Sequence, residues 1–204
     1  ETTVPAIEGA STLTGEFHDF AQVFVNGKYV GKIDRVKNEK SLELPAMPQG
    51  ANLTIVVEGM GRINFGRAIK DYKGIIGNVT ITSQKENCEV ALTPTLWSNS
   101  TIADDYQTAV NALATPTNKM RGLQTKAGYY RGYFNINKVG DTFINMEAFG
   151  KGQVYVNGHA LGRFWQIGPQ QTLYLPGCWL KKGKNEVIVL DVVGPKASIN
   201  GKAT

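Results

Sequence analysis

Cysteine and histidine are scarce in this 204-residue sequence, which has two of each: Cys88, Cys178, His18 and His159. No C-x-x-C pair and no cysteine–histidine cluster occurs, so the usual zinc and redox motifs are excluded. The sequence therefore predicts no metal site and no cofactor. The spacing of the two cysteines leaves open whether they form a disulfide bond.

Long apolar runs and a strong charge imbalance are also lacking. No stretch approaches the ~18 apolar residues that a membrane-spanning helix needs. The 22 Lys and Arg residues exceed the 17 Asp and Glu residues only slightly, and they are scattered. The densest basic run, residues 181–184, has the composition of a solvated turn. Without a basic stripe interleaved with aromatic residues, no nucleic-acid partner is expected, and no membrane span is predicted.

Helix-type apolar spacing is scarce as well, whereas glycine is frequent at 23 residues. Short strand-forming segments alternate with turn residues, and the apolar alternation is clearest at residues 53–57. The first part of the chain is predicted to form strands at residues 11–16, 21–26, 29–33, 41–44, 53–58 and 75–82. This pattern indicates a mainly β protein of the sandwich type.

One β-unit occurs twice. Residues 23–32, VFVNGKYVGK, match residues 154–163, VYVNGHALGR, at a shift of 154 − 23 = 131. The LELP segment at residues 42–45 falls on LYLP at the same shift, and residues 50–52 fall on 183–185 at a shift of 133. Two homologous β-sandwich units are therefore predicted, with two residues inserted between the copies.

The repeat also predicts a missing strand. The strand at residues 129–136 precedes the repeat in the second unit, and its counterpart would map to residue 5 or earlier. We therefore expect the counterpart to lie upstream of Glu1 and the chain to be the C-terminal part of a longer protein. A strand formed in that position by residues 1–8 or 88–96 would contradict this expectation.

The segment between the units contains the predicted helix, at about residues 102–114. Thr101 and Asp104 have the spacing of a capping box, and Thr115 with Pro116 ends the pattern. The apolar residues that share one helix face are Ile102, Tyr106, Val110 and Leu113. The predicted domains are a first sandwich at 1–83, a connector at 84–120, and a second sandwich at 121–204.

Several stretches resemble a known family. They are residues 152–176 (GQVYVNGHALGRFWQIGPQQTLYLP), 18–23 (HDFAQV), 57–66 (VEGMGRINFG) and 71–75 (DYKGI). Together they resemble the C-terminal region of glycoside hydrolase family 35 β-galactosidases, over most of residues 17–193. The resemblance implies two galactose-binding-domain-like jelly-roll β-sandwiches. It also implies export through the parent protein to a periplasmic, extracellular or lysosome-like compartment.

The resemblance has a further implication for activity. Members of this family carry both carboxylates of the retaining reaction on a catalytic TIM barrel that precedes the β-domains. Nothing in this sequence matches a barrel, so no catalytic residue is expected. The implied function is a non-catalytic region of a β-galactosidase, packed on the barrel of the same chain and shaping substrate access. The alternatives are a carbohydrate-binding module for galactose-containing glycans and a stand-alone interaction protein.

Candidate ligand-binding residues in the second unit are Arg163, Trp165 and Gln166. An indole can stack on the apolar face of galactose, while a guanidinium and an amide can donate to its hydroxyl groups. Alternatively, Trp165 fills an interdomain interface and Arg163 pairs with a carboxylate. Asn157 either forms only the hairpin turn or faces a ligand from the loop tip. Residues 164–170 lack a counterpart in the first unit, which narrows the functional prediction to this loop.

The first unit contributes two further candidates, Arg62 and Asn64. They lie in a glycine-flanked loop that follows the predicted strand ending at Glu58, so the loop can present both side chains to a ligand. In the alternative interpretation the loop is a structural corner, in which Arg62 bridges Glu58 or Asp71.

Overall fold

The computed structural model describes residues 1–67, 69–83, 85, 88–102, 104–114 and 127–195. The chain divides into two compact units, Glu1–Ser100 and Thr101–Thr204. Four antiparallel sheets and, in the described residues, a single α-helix make up the fold. The prediction of a mainly β, sandwich-type chain is therefore confirmed.

Unit 1 has two four-stranded sheets, with the orders β1-β6-β3-β4 and β5-β2-β7-β8. The strands are β1 (Thr2–Val4), β2 (Ser11–His18), β3 (Phe20–Val25), β4 (Lys28–Asp34), β5 (Ser41–Leu44), β6 (Ala51–Glu58), β7 (Gly74–Ser83) and β8 (Cys88–Leu92). Residues from both sheets, including Leu13, Ile33, Leu53 and Ile81, are fully buried in one core. This core supplies the hydrophobic stabilisation of unit 1.

Unit 2 has one four-stranded sheet, β12-β11-β14-β9, and, within the described residues, a two-stranded sheet β10-β13. The elements are α1 (Tyr106–Ala114), β9 (Gly128–Ile136), β10 (Thr142–Asn145), β11 (Lys151–Val156), β12 (His159–Trp165), β13 (Thr172–Leu175) and β14 (Gly183–Asp191). Val154 and Phe164 pack with Met146 and Leu173 in the core. A separate buried cluster joins Ala109 of α1 to the large sheet.

The two units repeat the same sheet, including an irregularity. The register shifts between Val23 and Phe24 in the β3–β4 pair, and it shifts at the equivalent place, between Val154 and Tyr155, in β11–β12. Strand β3 pairs with β6 as β11 pairs with β14. Val23 lies opposite Ile55, and its equivalent Val154 lies opposite Val189, so equivalent residues of β6 and β14 are 134 positions apart. The repeat thus contains three inserted residues, not the two predicted from the sequence.

The prediction of a missing strand is wrong. Strand β1 pairs antiparallel with β6 in the position that β9 occupies beside β14. The sequence Thr-Thr-Val is too short to show an apolar alternation, so the strand is recognisable only from its partner. The inference that the counterpart lies upstream of Glu1 therefore loses its basis.

The predicted connector at 84–120 is divided between the units. Strand β8 lies in it and pairs with β7 of unit 1, from Val79↔Leu92 to Ser83↔Cys88, whereas α1 packs in unit 2. The part of the connector at 115–120 lies outside the described residues.

The helix begins at Tyr106 instead of residue 102. Asp105 caps it, because its backbone carbonyl accepts from Ala109 N–H and its side chain accepts from Thr108 N–H at 2.9 Å. Ile102 lies before the helix and is exposed. The predicted Thr101–Asp104 capping box is therefore wrong, because the residue that caps the helix is Asp105, four residues after Thr101.

Three further observations bear on the function classes weighed above. Cys88 and Cys178 form no disulfide bond. In the described part of the chain, no group of three His, Cys, Asp or Glu side chains is placed to hold a metal ion. No described helix has the length and apolar character needed to cross a membrane.

Candidate functional site

A buried carboxylate in unit 1 ties together both ends of the loop between β6 and β7. Asp19 is 4% exposed. Its Oδ2 accepts from the backbone N–H of Met60 and from Lys73 Nζ, each at 2.7 Å. Its Oδ1 accepts from Arg35 Nη1 at 2.7 Å. Met60 and Lys73 flank the loop, so Asp19 fixes the point at which the loop leaves and rejoins the sheet.

Asp71 joins the same arrangement from the loop side. Arg35 Nη1 lies 2.9 Å from its Oδ1, and Lys73 Nζ lies 2.7 Å from its Oδ2. His18 borders the cluster, with Nδ1 at 2.7 Å from the carbonyl oxygen of Tyr72. We call Asp19, Arg35, Asp71 and Lys73 the ion clamp. It contains two carboxylates and two cations, so its charges balance.

Opposing effects set the charge state of the ion clamp. Burial is the largest single effect on Asp19, and it disfavours the ionised form. The hydrogen bonds from Lys73, Arg35 and Met60 N–H together outweigh burial, so the pKa of Asp19 lies below its usual value. The hydrogen bond from Lys73 likewise holds the pKa of Asp71 below its usual range. Burial opposes the charge of Lys73, but its bonds to Asp19 and Asp71 produce a net rise in its pKa. The clamp is therefore fully ionised at neutral pH.

The loop held by the ion clamp presents apolar side chains to solvent. We call residues 61–67 and 69–72 the clamped loop. Its large exposed hydrophobic residues are Ile63, Phe65, Ile69 and Tyr72, of which Phe65 is 90% exposed. The predicted site residues Arg62 and Asn64 are exposed in the same loop. Asp71 is engaged by Arg35 and Lys73 instead of Arg62, so the predicted carboxylate ties down the loop but the predicted cation does not.

In unit 2, Asn157 forms the turn between β11 and β12 with a left-handed backbone, φ 47°. Its Nδ2 donates to the carbonyl oxygen of Trp179 and to Asn185 Oδ1, both at 2.8 Å. Its Oδ1 accepts from the backbone N–H of Glu186 at 2.9 Å. These bonds occupy the side chain in holding the hairpin to β14.

Arg163 and Trp165 lie on one face of β12, because side chains two residues apart in a strand point the same way. Arg163 is exposed, and Phe164 between them is buried in the core. Trp165 is partly buried, and Lys151 Nζ of the neighbouring strand lies 4.7 Å from the centroid of its ring. One face of the indole is therefore covered by a cation.

Gln166 begins the loop from β12 to β13. Its backbone N–H donates to Gly150 O at 2.8 Å, and its carbonyl oxygen accepts from Gln171 Nε2 at 2.6 Å. Trp165 N–H donates across the same loop to Gln170 O. The loop is thus closed by its own backbone and amide contacts.

The predicted site residues of unit 2 do not form a single site. Arg62 and Asn64 share the clamped loop of unit 1. In unit 2, Asn157 and Trp165 lie at opposite ends of β12, separated by about 20 Å at the usual rise of a strand. Sequence reasoning placed Asn157 and Trp165 in one motif, whereas the strand between them keeps them apart.

A cleft in unit 2 contains functional groups that the sequence did not single out. It has a volume of about 440 Å³, and the residues that line it are Tyr106, Tyr133, Asn157, Lys181, Lys184 and Glu186. We call it the tyrosine–lysine cleft. Its residues come from α1, β9, β14 and two turns, so only the fold brings them together. Of its lining residues, Asn157 was already a candidate from the sequence, and the basic run at 181–184 was visible there as a turn.

Glu186 is the acidic group of this cleft. Its Oε2 accepts from the hydroxyl of Tyr106 at 2.7 Å, and its Oε1 lies 3.2 Å from Arg131 Nε. The hydrogen bond to Glu186 raises the pKa of Tyr106. The carboxylate is thus neutralised by Arg131, while Tyr106 stays protonated as a donor.

Comparison with known proteins assigns both units. A family model described as "Beta-galactosidase, first all-beta domain" matches residues 1–89, and one described as "Beta-galactosidase, galactose-binding domain" matches residues 127–185. The chain is 35% identical over 195 residues to human β-galactosidase-1-like protein 2, with 93% of the chain and 29% of that protein covered.

Other relatives give the same result. Bovine β-galactosidase is 34% identical over 90% of the chain and 29% of its own length. A β-galactosidase of Xanthomonas manihotis is 33% identical over 85% of the chain and 27% of its own length. The chain thus spans less than a third of each of these relatives. The predicted resemblance is confirmed: the chain belongs to the β-galactosidase family and carries its first all-β domain and its galactose-binding domain.

Proposed function

We propose that this chain is the non-catalytic β-sandwich part of a β-galactosidase and packs on the catalytic TIM barrel of the same polypeptide. The observation that carries the proposal is the clamped loop, which is rigidly held at its base and exposes Ile63, Phe65, Ile69 and Tyr72. Contiguous exposed apolar side chains in a soluble protein mark interaction surfaces. An ordered base reduces the entropy lost on docking.

The polar members of the clamped loop extend this proposal. Arg62 and Asn64 alternate with Ile63 and Phe65, so a barrel in contact with the apolar side chains would have a guanidinium and an amide beside it. Both groups donate hydrogen bonds of the kind that sugar hydroxyls accept. We therefore assign the loop a role in shaping substrate access, in addition to docking.

The chemistry of the chain supports a non-catalytic role. Retaining hydrolysis needs a carboxylic acid that is protonated at working pH beside a second carboxylate, about 5 Å away. Asp19 and Asp71 are the buried pair in unit 1, but both have lowered pKa values and both bind Arg35 and Lys73. Such carboxylates stay ionised, which suits a structural clamp and not a general acid.

An activity assay tests the non-catalytic role. The 204-residue chain should release no nitrophenol from 4-nitrophenyl β-galactoside, whereas the full-length protein should hydrolyse it with retention of configuration. Turnover by the purified 204-residue chain would overturn the proposal.

Substitution in the clamped loop tests docking. Phe65→Ser should not change the melting temperature of the 204-residue chain, because the side chain is exposed there. In the full-length protein it should lower the melting temperature, since burial of a Phe side chain contributes about 2 kcal/mol. Val36→Ser is the matched control, because Val36 is also exposed, at 67%, but lies outside the clamped loop. Equal effects of both substitutions in the full-length protein would contradict docking through this loop.

A second candidate function is carbohydrate binding by unit 2. The tyrosine–lysine cleft favours it, because an open cleft lined by two tyrosines, two lysines and a carboxylate offers the stacking and hydrogen-bonding groups that sugars need. Titration of the chain with galactose and lactose tests this function.

We also propose that the parent protein is exported, on the basis of its resemblance to family 35 enzymes. Cell fractionation of the native source tests the location.

A further inference from the structure

We propose that the tyrosine–lysine cleft of unit 2 binds a saccharide that carries an anionic group, either a uronic acid carboxylate or a sulfate ester. The proposal rests on carbohydrate binding, the second candidate function, and adds the position of the site and the charge of its ligand. It does not depend on docking to a catalytic barrel.

The two lysines of the cleft lie in the turn before β14 and at the start of β14, where the backbone is held in place. The buried side chain of Asn185 donates to the carbonyl oxygens of Lys181 and Gly183, at 2.8 and 2.9 Å. Its Oδ1 accepts from the backbone N–H of Lys181 at 2.9 Å and from Asn157 Nδ2 at 2.8 Å. The backbone of the turn is therefore fixed before a ligand arrives, which lowers the entropic cost of binding.

The charges of the cleft favour an anion. Glu186 is neutralised by Arg131 and accepts a hydrogen bond from the hydroxyl of Tyr106. Within the described residues, neither Lys181 nor Lys184 forms a salt bridge with a carboxylate. Lys184 Nζ lies 3.8 Å from the centroid of the Tyr133 ring, which holds the ammonium group over the ring by a cation–π contact. The cleft therefore has two ammonium groups available to an anionic substituent.

The aromatic groups and the size of the cleft favour a sugar over an inorganic anion. Tyr133 is 52% exposed, so its ring edge can contact the apolar face of a sugar ring. The volume of about 440 Å³ lies in the range of small-molecule sites. Every lining residue is polar or a tyrosine, which suits a hydroxylated ligand.

Unit 1 provides an internal comparison for these residues. Asn157 has Asn26 as its counterpart, and both bond the backbone of the neighbouring strand, as expected for a folding role. The strand registers make three residues of the cleft, Tyr133, Lys184 and Glu186, the equivalents in the repeat of Thr3, Gly50 and Asn52 of unit 1. The two units thus share the scaffold. At these equivalent positions, unit 2 has aromatic and charged residues and unit 1 does not.

Calorimetric titration of the 204-residue chain at low salt tests the proposal, with four probes: galactose, lactose, trigalacturonic acid and galactose 6-sulfate. We expect binding of at least one acidic probe and at least tenfold weaker binding of both neutral probes. Binding of trigalacturonic acid would indicate a carboxylate ligand, and binding of galactose 6-sulfate would indicate a sulfate ligand. Binding should weaken in 0.5 M salt (about three times physiological ionic strength), because exposed ion pairs are screened.

Substitutions locate the site. Lys184→Ala and Tyr133→Ala should each weaken binding of the acidic probe by about tenfold. Both residues are exposed, so the fold should be retained, as circular dichroism can verify. Lys182→Ala is the matched control, since Lys182 is exposed in the same turn but does not line the cleft. It should leave binding unchanged.

Three results would overturn the proposal. Equal losses for Lys182→Ala and Lys184→Ala would show unspecific attraction to a basic turn. Neutral galactosides that bind as well as acidic ones, with no effect of Lys184→Ala, would overturn the anionic ligand and leave carbohydrate binding in place. Absence of binding for all four probes would remove both the cleft proposal and the second candidate function.

Discussion

Asn26 and Asn157 occupy equivalent positions in the two units and make the same bond to the neighbouring strand. Each adopts a left-handed backbone, with φ of 49° and 47°. The Oδ1 atom of Asn26 accepts from Asn52 N–H at 2.8 Å, and that of Asn157 accepts from Glu186 N–H at 2.9 Å. Asn157 differs in the two additional bonds donated by its Nδ2. The turn of unit 2 therefore depends more on its asparagine than the turn of unit 1 does.

We predict that Asn157→Gly destabilises the chain more than Asn26→Gly does. Glycine keeps the left-handed backbone without strain, so each variant reports only the lost side-chain bonds. At about 1 kcal/mol per hydrogen bond, the expected losses are about 3 and about 1 kcal/mol. Asn157→Ala should cost about 1 kcal/mol more than Asn157→Gly, because an alanine is strained at this backbone angle. Urea unfolding followed by tryptophan fluorescence measures these values, and equal losses at both positions would refute the comparison.

Asp191 is a second structural residue with a measurable role. It is fully buried, and its carboxylate accepts from four backbone N–H groups, those of Gly150, Lys151, Val193 and Gly194. Asp191→Ala should lower the free energy of unfolding by about 3 kcal/mol or more, since buried donors would lose their acceptor. Asp141→Ala removes an exposed carboxylate that accepts from Gly177 N–H, and it should cost much less. Thermal unfolding of both variants checks the order, which would be wrong if the two losses were alike.

Local sequence patterns were sufficient to predict the hairpins. In β3–β4 and β11–β12, alternating valines and aromatic residues meet an Asn-Gly turn, and all the information lies within some ten residues. The strands that escaped prediction, β1 and β8, are short and owe their conformation to β6 and β7. Their pairing is set by tertiary contacts that the sequence of the strand itself does not report.

The candidate sites were predictable only in part, for the same reason. Asp19 and Asp71 each lie in a motif that carries the family resemblance, but their contact through Arg35 and Lys73 joins residues far apart in the chain. The tyrosine–lysine cleft is assembled from several elements in the same way. The clamped loop was recognised as a loop with Arg62 and Asn64, while the exposure of its apolar residues depends on the fold around it.

Gly152 is predicted to be essential for the central strand pair of unit 2. A Cβ atom at this position would collide with the carbonyl oxygen of Leu190 in the adjacent strand β14. Backbone atoms of a central strand cannot move aside without loss of the ladder, so Gly152→Ala should cost about 3 kcal/mol or more. Unit 1 has Ala21 at the equivalent place, so the requirement arises from the local approach of the strands and not from the repeat.

The control for Gly152 is Gly128→Ala at the start of β9, where a Cβ atom would meet no atom within 4 Å. This variant should keep the stability of the parent chain or exceed it slightly, because alanine restricts the unfolded chain. Soluble yield and the urea midpoint compare the two variants. A Gly152→Ala chain as stable as Gly128→Ala would contradict the steric argument.

The ion clamp predicts a loss of stability in acid. Because Asp19 and Asp71 have lower pKa values when folded, the unfolded chain binds more protons between the folded and unfolded pKa values. Stability from these groups is therefore complete above the unfolded pKa of about 4 and disappears as the pH falls through the folded pKa values. The raised pKa of Lys73 acts at the opposite end, since its contribution persists until the pH rises above about 10.

Asp19→Asn tests this linkage. Removing one charge of a buried ion pair should destabilise the chain by about 3 kcal/mol at pH 7. The variant should also lose less stability than the parent chain between pH 5 and pH 2, because one titrating group with a lowered pKa is gone. Glu43→Gln removes an exposed carboxylate from β5 and should change neither quantity by more than about 0.5 kcal/mol. Urea unfolding across this pH range measures both, and parallel pH profiles for the parent chain and Asp19→Asn would show that Asp19 does not contribute to acid sensitivity.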